Sequence, residues 1–126
     1  MAKKNESLYD EHIIAALKEL TQPIIGKSGK KFYFREMARQ ETGFEHIAKK
    51  SHRLKVRDIE IIPEILRHPI SEHRDPANYN YRNYYGIRRG DQNIKSLLKI
   101  VTWEDEHDSL KETIITIYPV KTIKDY

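Results

Sequence analysis

Four short apolar runs must supply most of the core of this chain, and their order limits what it can fold into. Ile13 to Leu20 and Ile59 to Leu66 carry aliphatic residues at helical spacing. Leu97 to Trp103 and Thr113 to Val120 are instead strand-length runs rich in β-branched residues. Around them 33% of the residues are charged and mean hydropathy is −0.77, so little else is available to bury. Helical patterns first and strand patterns afterwards predict an α+β fold, with N-terminal helices packed on a C-terminal antiparallel sheet of about four strands. The 126 residues match one domain. It divides into a polar tail at 1–6, a mainly helical part at 7–67 and the sheet at 73–122.

Local signals place the boundaries. Ser7 is positioned to cap the first helix, and Thr21-Gln-Pro ends it. The basic turn Gly26-Lys-Ser-Gly-Lys-Lys lacks the spacing of a nucleotide phosphate loop and reads as a flexible connection. Lys31-Phe-Tyr-Phe-Arg35 suits a short strand, or alternatively the start of a helix over Tyr33 to Gln40. On the second option, residues 33–53 take the pattern of a helix-turn-helix with Gly43 in the turn. Pro63 requires its helix to begin near Ile59 to Glu60, or to kink, and His68-Pro69 closes it. Gly90-Asp-Gln-Asn is a hairpin-type turn. Ile94 to Thr102 and Thr113 to Val120 then form buried strands around an acidic tip, Trp103 to Ser109.

Composition removes several classes of function. The absence of cysteine excludes disulfides, thiolate metal sites and a cysteine nucleophile, and fits a reducing compartment. No apolar run approaches the roughly 18–20 residues of a membrane span, and the first residues lack a secretory signal's apolar stretch. The expectation is a cytoplasmic protein without a membrane partner. A formal charge of +4 and a pI near 9.2 admit a polyanionic ligand.

The stretch Gly43 to Arg53 concentrates reactive side chains, with His46 and His52 among Lys49, Lys50 and Arg53. On an ideal helix a six-residue separation turns the two histidines about 120° apart, which is wrong for a shared metal ion. No metal site and no cofactor are expected. None of the serines lies in Gly-x-Ser-x-Gly, so acyl transfer has no support. Metal-free RNA cleavage fits the inventory better. It needs a base for the ribose 2′-hydroxyl, an acid for the leaving 5′-oxygen, and cations around the phosphate. Histidines serve both proton roles. Arg74, Arg82, Arg88 and Arg89, interleaved with Tyr79, Tyr81, Tyr84 and Tyr85, suit a single-stranded RNA with splayed bases.

The order of His46-Ile47 with His52-Arg53, the run Ile59 to Pro69, the Tyr/Arg strand, Lys99-Ile-Val and Thr113-Ile-Ile-Thr116-Ile-Tyr118 carries a resemblance. Over roughly residues 43–122 it is similar to the barnase–EndoU–colicin–RelE superfamily of small metal-independent ribonucleases, in particular its phage and toxin branches. The resemblance implies helices on a four-stranded antiparallel sheet with an active site across the sheet face. It also implies catalytic positions at His46 and Thr116, with a basic strand residue for which Arg82 or Arg88 is the match. His52 lies further from His46 than the family pattern places its second histidine. The expected catalytic set is therefore His46, His52, Arg82 and Thr116, with RNA contacts from Lys49, Arg53, Arg74, Tyr84 and Arg88. The expected partners are RNA and, for a toxin-like protein, an acidic inhibitor. Two alternatives stand beside this reading. One is a helix-turn-helix DNA-binding regulator using 33–53. The other is an inert RNA- or protein-binding member of the same fold.

Overall fold

A computed structural model describes residues 8–35, 43–90 and 96–123. Helix α1 spans Glu11–Lys18, and the side chain of Asp10 caps it by accepting from the His12 and Ile13 amides. Ser7, the expected cap, lies outside the described residues. Strands β1 (Ile24–Ile25) and β2 (Lys31–Phe34) follow, then α2 (Gly43–Ile47), α3 (Val56–Glu60) and α4 (Ile62–Arg67). The rest is β3 (Ser71–Arg74), β4 (Tyr81–Ile87), β5 (Leu97–Glu104) and β6 (Lys111–Val120).

All six strands join one sheet in the order β1-β2-β6-β5-β4-β3. The α+β class holds, but the sheet is larger than four strands and mixed, because β2 runs parallel to β6. The two extra strands come from the part of the sequence that reads as helical. Lys31-Phe-Tyr-Phe resolves as strand: Phe32 and Phe34 bury one face, and the strand pairs with Lys111–Ile114. Tyr33 and Phe34 therefore cannot open a helix. Residues 36–42, where that helix would have continued, lie outside the described residues.

Alternation assigns the sheet faces. Phe32, Tyr84, Leu98, Ile100, Ile114 and Ile117 meet Ile13, Leu17, Ile47, Ile59, Ile62 and Leu66 in the core beneath the helices. Each such aliphatic side chain contributes about 1.5–3 kcal/mol by leaving water. Gly86 lies under α4 because a Cβ there would strike the Ile65 side chain. Pro63 is absorbed as the sequence requires: α3 stops at Glu60, Ile61 separates the helices, and proline occupies the first turn of α4. Arg88, just past β4, makes two 2.8 Å hydrogen bonds to the buried carboxylate of Asp58 and so locks α3 to the sheet. No helix among the described residues is long and apolar enough to cross a membrane.

Candidate functional site

The site forms where β2 ends. β6 is ten residues long, but β2 pairs only with its first four. Beyond that point α2 and a 3-10 turn at Lys50–His52 lie against β6 instead. Gly43 starts α2 in direct apposition to the Arg35 carbonyl, where any Cβ would collide with the backbone. The segment after α2 is pinned by the N-terminal strip: the Asp10 amide donates to the Ala48 carbonyl at 2.8 Å, and the Lys50 amide to the Leu8 carbonyl at 2.9 Å. Arg53 then takes a left-handed conformation, φ 58°, which ends the turn and sends Leu54 into the core.

This break in the helix brings the histidines together. On a continuous helix they would diverge; here their rings stand 6.1 Å apart, edge to face. The Nδ1 of His52 lies 2.9 Å from the Ile47 carbonyl. A carbonyl only accepts, so this nitrogen carries a proton, which in a neutral imidazole leaves Nε2 as the acceptor.

From His52 a row of side chains crosses the sheet on the face away from the helical core. The His52 ring is 6.4 Å from that of Tyr118 on β6. Lys99 on β5, the cross-strand partner of Tyr118, places Nζ 5.5 Å from the Tyr118 ring centroid and 5.9 Å from that of Tyr85 on β4. Tyr85 in turn stacks on His73 of β3 at 5.6 Å and 22°. Partial burial lowers the Lys99 pKa. Its hydrogen bond to Tyr118, with Tyr118, Tyr85 and Asp75 nearby, outweighs that and raises it, so the ammonium stays charged. Asp75 closes the arrangement. Burial raises its pKa, but hydrogen bonds from the Ala77 amide, the Asn83 side chain and the Asn78 amide, together with Lys99, hold it below the ordinary aspartate range.

Thr116 stands opposite Val101 on β6, two residues before Tyr118 and on the same face. Lys49 and Arg53 line a small cavity of about 70 Å³ with Asp10, Lys50 and the buried Ile13, Ala48 and Leu54, and neither histidine is part of its lining. The other expected residues fall elsewhere. Arg82 points to the helical side, where it bonds Glu72 at 2.9 Å and lies 4.0 Å from Glu112. Tyr84 is buried on that side as well, donating to Glu112 at 2.7 Å. Burial first, and then the Glu112 charge, push its phenol pKa up, so it remains neutral. Arg74 bonds Glu104 and covers the Tyr79 ring, and Arg88 is committed to Asp58. Of the expected residues, the structure brings His46 and His52 into ring contact and puts Thr116 on the same strand face as Tyr118, while Lys49 and Arg53 line the separate small cavity and Arg74, Arg82, Tyr84 and Arg88 are engaged elsewhere.

Lys99 and Tyr118 receive no site role in the sequence reading, and Tyr85 appears there only as one of the four tyrosines of the Tyr/Arg run. The available signal is the period-2 alternation of β4 to β6, which puts Tyr85, Lys99 and Tyr118 in one cross-strand row. Among the described residues no cluster of three histidine or acidic side chains could hold a metal ion. A helix-turn-helix also lacks its recognition helix. Residues 44–53 form one short helix and a 3-10 turn, and Ile47 and Ala48 are buried. No protein-family model, curated protein or solved structure matches the chain.

Proposed function

We propose that the protein is a metal-independent endoribonuclease, toxin-like in character, acting on single-stranded RNA at the His46–His52–Tyr118–Lys99 row. The observation that carries this reading is the continuity of the row. Two histidines, a phenol and a charged lysine follow one another, each within ring-contact range of the next, although they come from α2, the 3-10 turn, β6 and β5. In the proposed reaction His52 Nε2 takes the proton of the ribose 2′-hydroxyl. O2′ attacks phosphorus, the P–O5′ bond breaks, and His46 as the acid protonates the departing 5′-oxygen. Lys99, held by Tyr118, offsets the charge that develops on the non-bridging oxygens. Lys49 and Arg53 guide the adjoining phosphates, and Thr116 supplies a hydroxyl beside the reacting group. Tyr85 is buried and acts by supporting Lys99. The net positive charge suits both the RNA and an acidic protein inhibitor that would cover the same face.

The test is incubation of single-stranded RNA with the purified protein in excess chelator, followed by end-group analysis. The expected products end in 2′,3′-cyclic phosphate and 5′-hydroxyl, and an all-deoxy strand of the same sequence stays intact. Cleavage of the deoxy strand, or cleavage that stops on chelation, contradicts the mechanism.

A further inference from the structure

The same sheet face holds a second concavity, further toward the β5–β6 hairpin, with a volume of about 330 Å³. Its shape follows from the residues on three neighbouring chain segments. Trp103 on β5 pairs across the sheet with Tyr81 on one side and Thr113 on the other. The Tyr81 ring braces the indole at 5.9 Å. Thr113 is small, and the β-bulge opposite Val101/Thr102 adds Ile115 beside it, so β6 forms a low floor. Arg35, immediately after β2, lines the cavity across that floor from Trp103, and Glu104 to His107 of the hairpin line the remainder. The indole is 41% exposed.

We propose that this cavity is a nucleobase subsite, which takes an amine-bearing base between the Trp103 indole and the Arg35 guanidinium. Indole rings and guanidinium planes are the protein surfaces on which unstacked bases settle. The volume lies at the small end of ligand sites, suited to one base rather than to a folded RNA element. The Glu104 carboxylate is held by Arg74 on the other face, but those of Asp105 and Glu106 at the hairpin disfavour a phosphate there and accept hydrogen bonds from exocyclic amines, as acidic side chains do from cytosine N4. Adenine, guanine and cytosine carry such an amine, and uracil does not. The role as an RNA subsite rests on the ribonuclease reading. Thr113 and Tyr118 share β6, and the strand rise places them about 15 Å apart, so one extended RNA strand reaches both places.

Trp103 is the single tryptophan, so its fluorescence reports on this cavity alone. The experiment is titration of the full chain with adenosine, guanosine, cytidine and uridine, repeated on His46→Ala, Arg35→Ala and Arg35→Lys proteins whose folding is checked by circular dichroism. Saturable quenching by the three amine-bearing nucleosides is expected, with uridine several-fold weaker and His46→Ala unchanged. Arg35→Ala should weaken binding about fivefold or more, the lower end of what one base stack contributes, and Arg35→Lys, which loses the plane but keeps the charge, nearly as much. Absence of saturable quenching in a protein that cleaves RNA overturns the subsite and leaves the ribonuclease reading standing. Saturable quenching in a protein that never cleaves RNA retains the base site and removes that reading. Uridine binding as tightly as the others overturns the assignment of the carboxylates.

Discussion

Tyr84 and Tyr85 show what a single residue step decides. Both are buried, yet Tyr84 belongs to the helical side with Glu112 and Phe32, while Tyr85 lies under Lys99 and His73 on the other. The sequence makes plain that adjacent strand residues part company; which of them turns toward the helices is set by Gly86, whose missing Cβ makes room for Ile65. That register is tertiary information, and it is why Tyr84 stands among the expected RNA contacts and Tyr85 does not. Lys99 is the residue-scale test. Its charge is held by Tyr118 rather than by a buried carboxylate, so Lys99→Met should leave the melting temperature within a few degrees of wild type. Cleavage should fall about 10²-fold, the usual cost of losing one preorganised transition-state partner. A single-turnover rate assay reads this directly, and Lys99→Arg should recover part of the loss.

At the scale of elements, the short helices matter more than the long strands. Neither α2 nor α3 is long enough to be stable alone. The site depends on tertiary ties: the bridge from residues 8–10 to 48–50, and the Asp58–Arg88 pair that fixes α3. Removing one member of a buried ion pair strands the other, so Arg88→Met should lower unfolding free energy by about 3–5 kcal/mol in a urea titration. Gly86→Ala should cost about 1–3 kcal/mol through overpacking against Ile65, and Ile65→Val in the same chain should return part of it. The helices containing Ile13 to Leu17 and Ile59 to Leu66 were legible because their periodicity is long and regular. β1 and β2 were not legible as members of the sheet. They are two and four residues long, and β2 pairs with a strand some eighty positions later, which local patterning cannot reveal. The meeting of His46 and His52 was hidden for a related reason, since helical spacing separates them and only the break after Ile47 brings them together.

For the whole molecule, charge and acid stability follow from the same contacts. On the proposed reading, in which Lys49, Arg53 and Lys99 of a chain of net charge +4 meet RNA phosphates, affinity should fall steadily as salt rises, with log K linear in log salt at a slope near −0.7 per phosphate contacted. Binding of a non-cleavable deoxy oligonucleotide at several salt concentrations measures that slope. Asp75 and Glu104 both titrate below their ordinary values. Asp75 does so although burial opposes it, and Glu104 chiefly because Arg74 bonds it. Depressed folded pKa values mean that the stabilisation is complete above the ordinary carboxylate range of about 4. It is lost as pH falls through the lowered values. The melting temperature should accordingly hold from neutral pH to about 4.5 and decline below that, less so in Glu104→Gln.

The most direct test of the central claim compares four proteins on one RNA in excess chelator: wild type, His46→Ala, His52→Ala and Lys99→Met, each shown to be folded. The expected result is cleavage by wild type, with losses of about 10²–10⁴-fold in each histidine variant and about 10²-fold in Lys99→Met. Cleavage that survives all three substitutions, or that needs a metal ion in the wild type, would contradict an active site on this row.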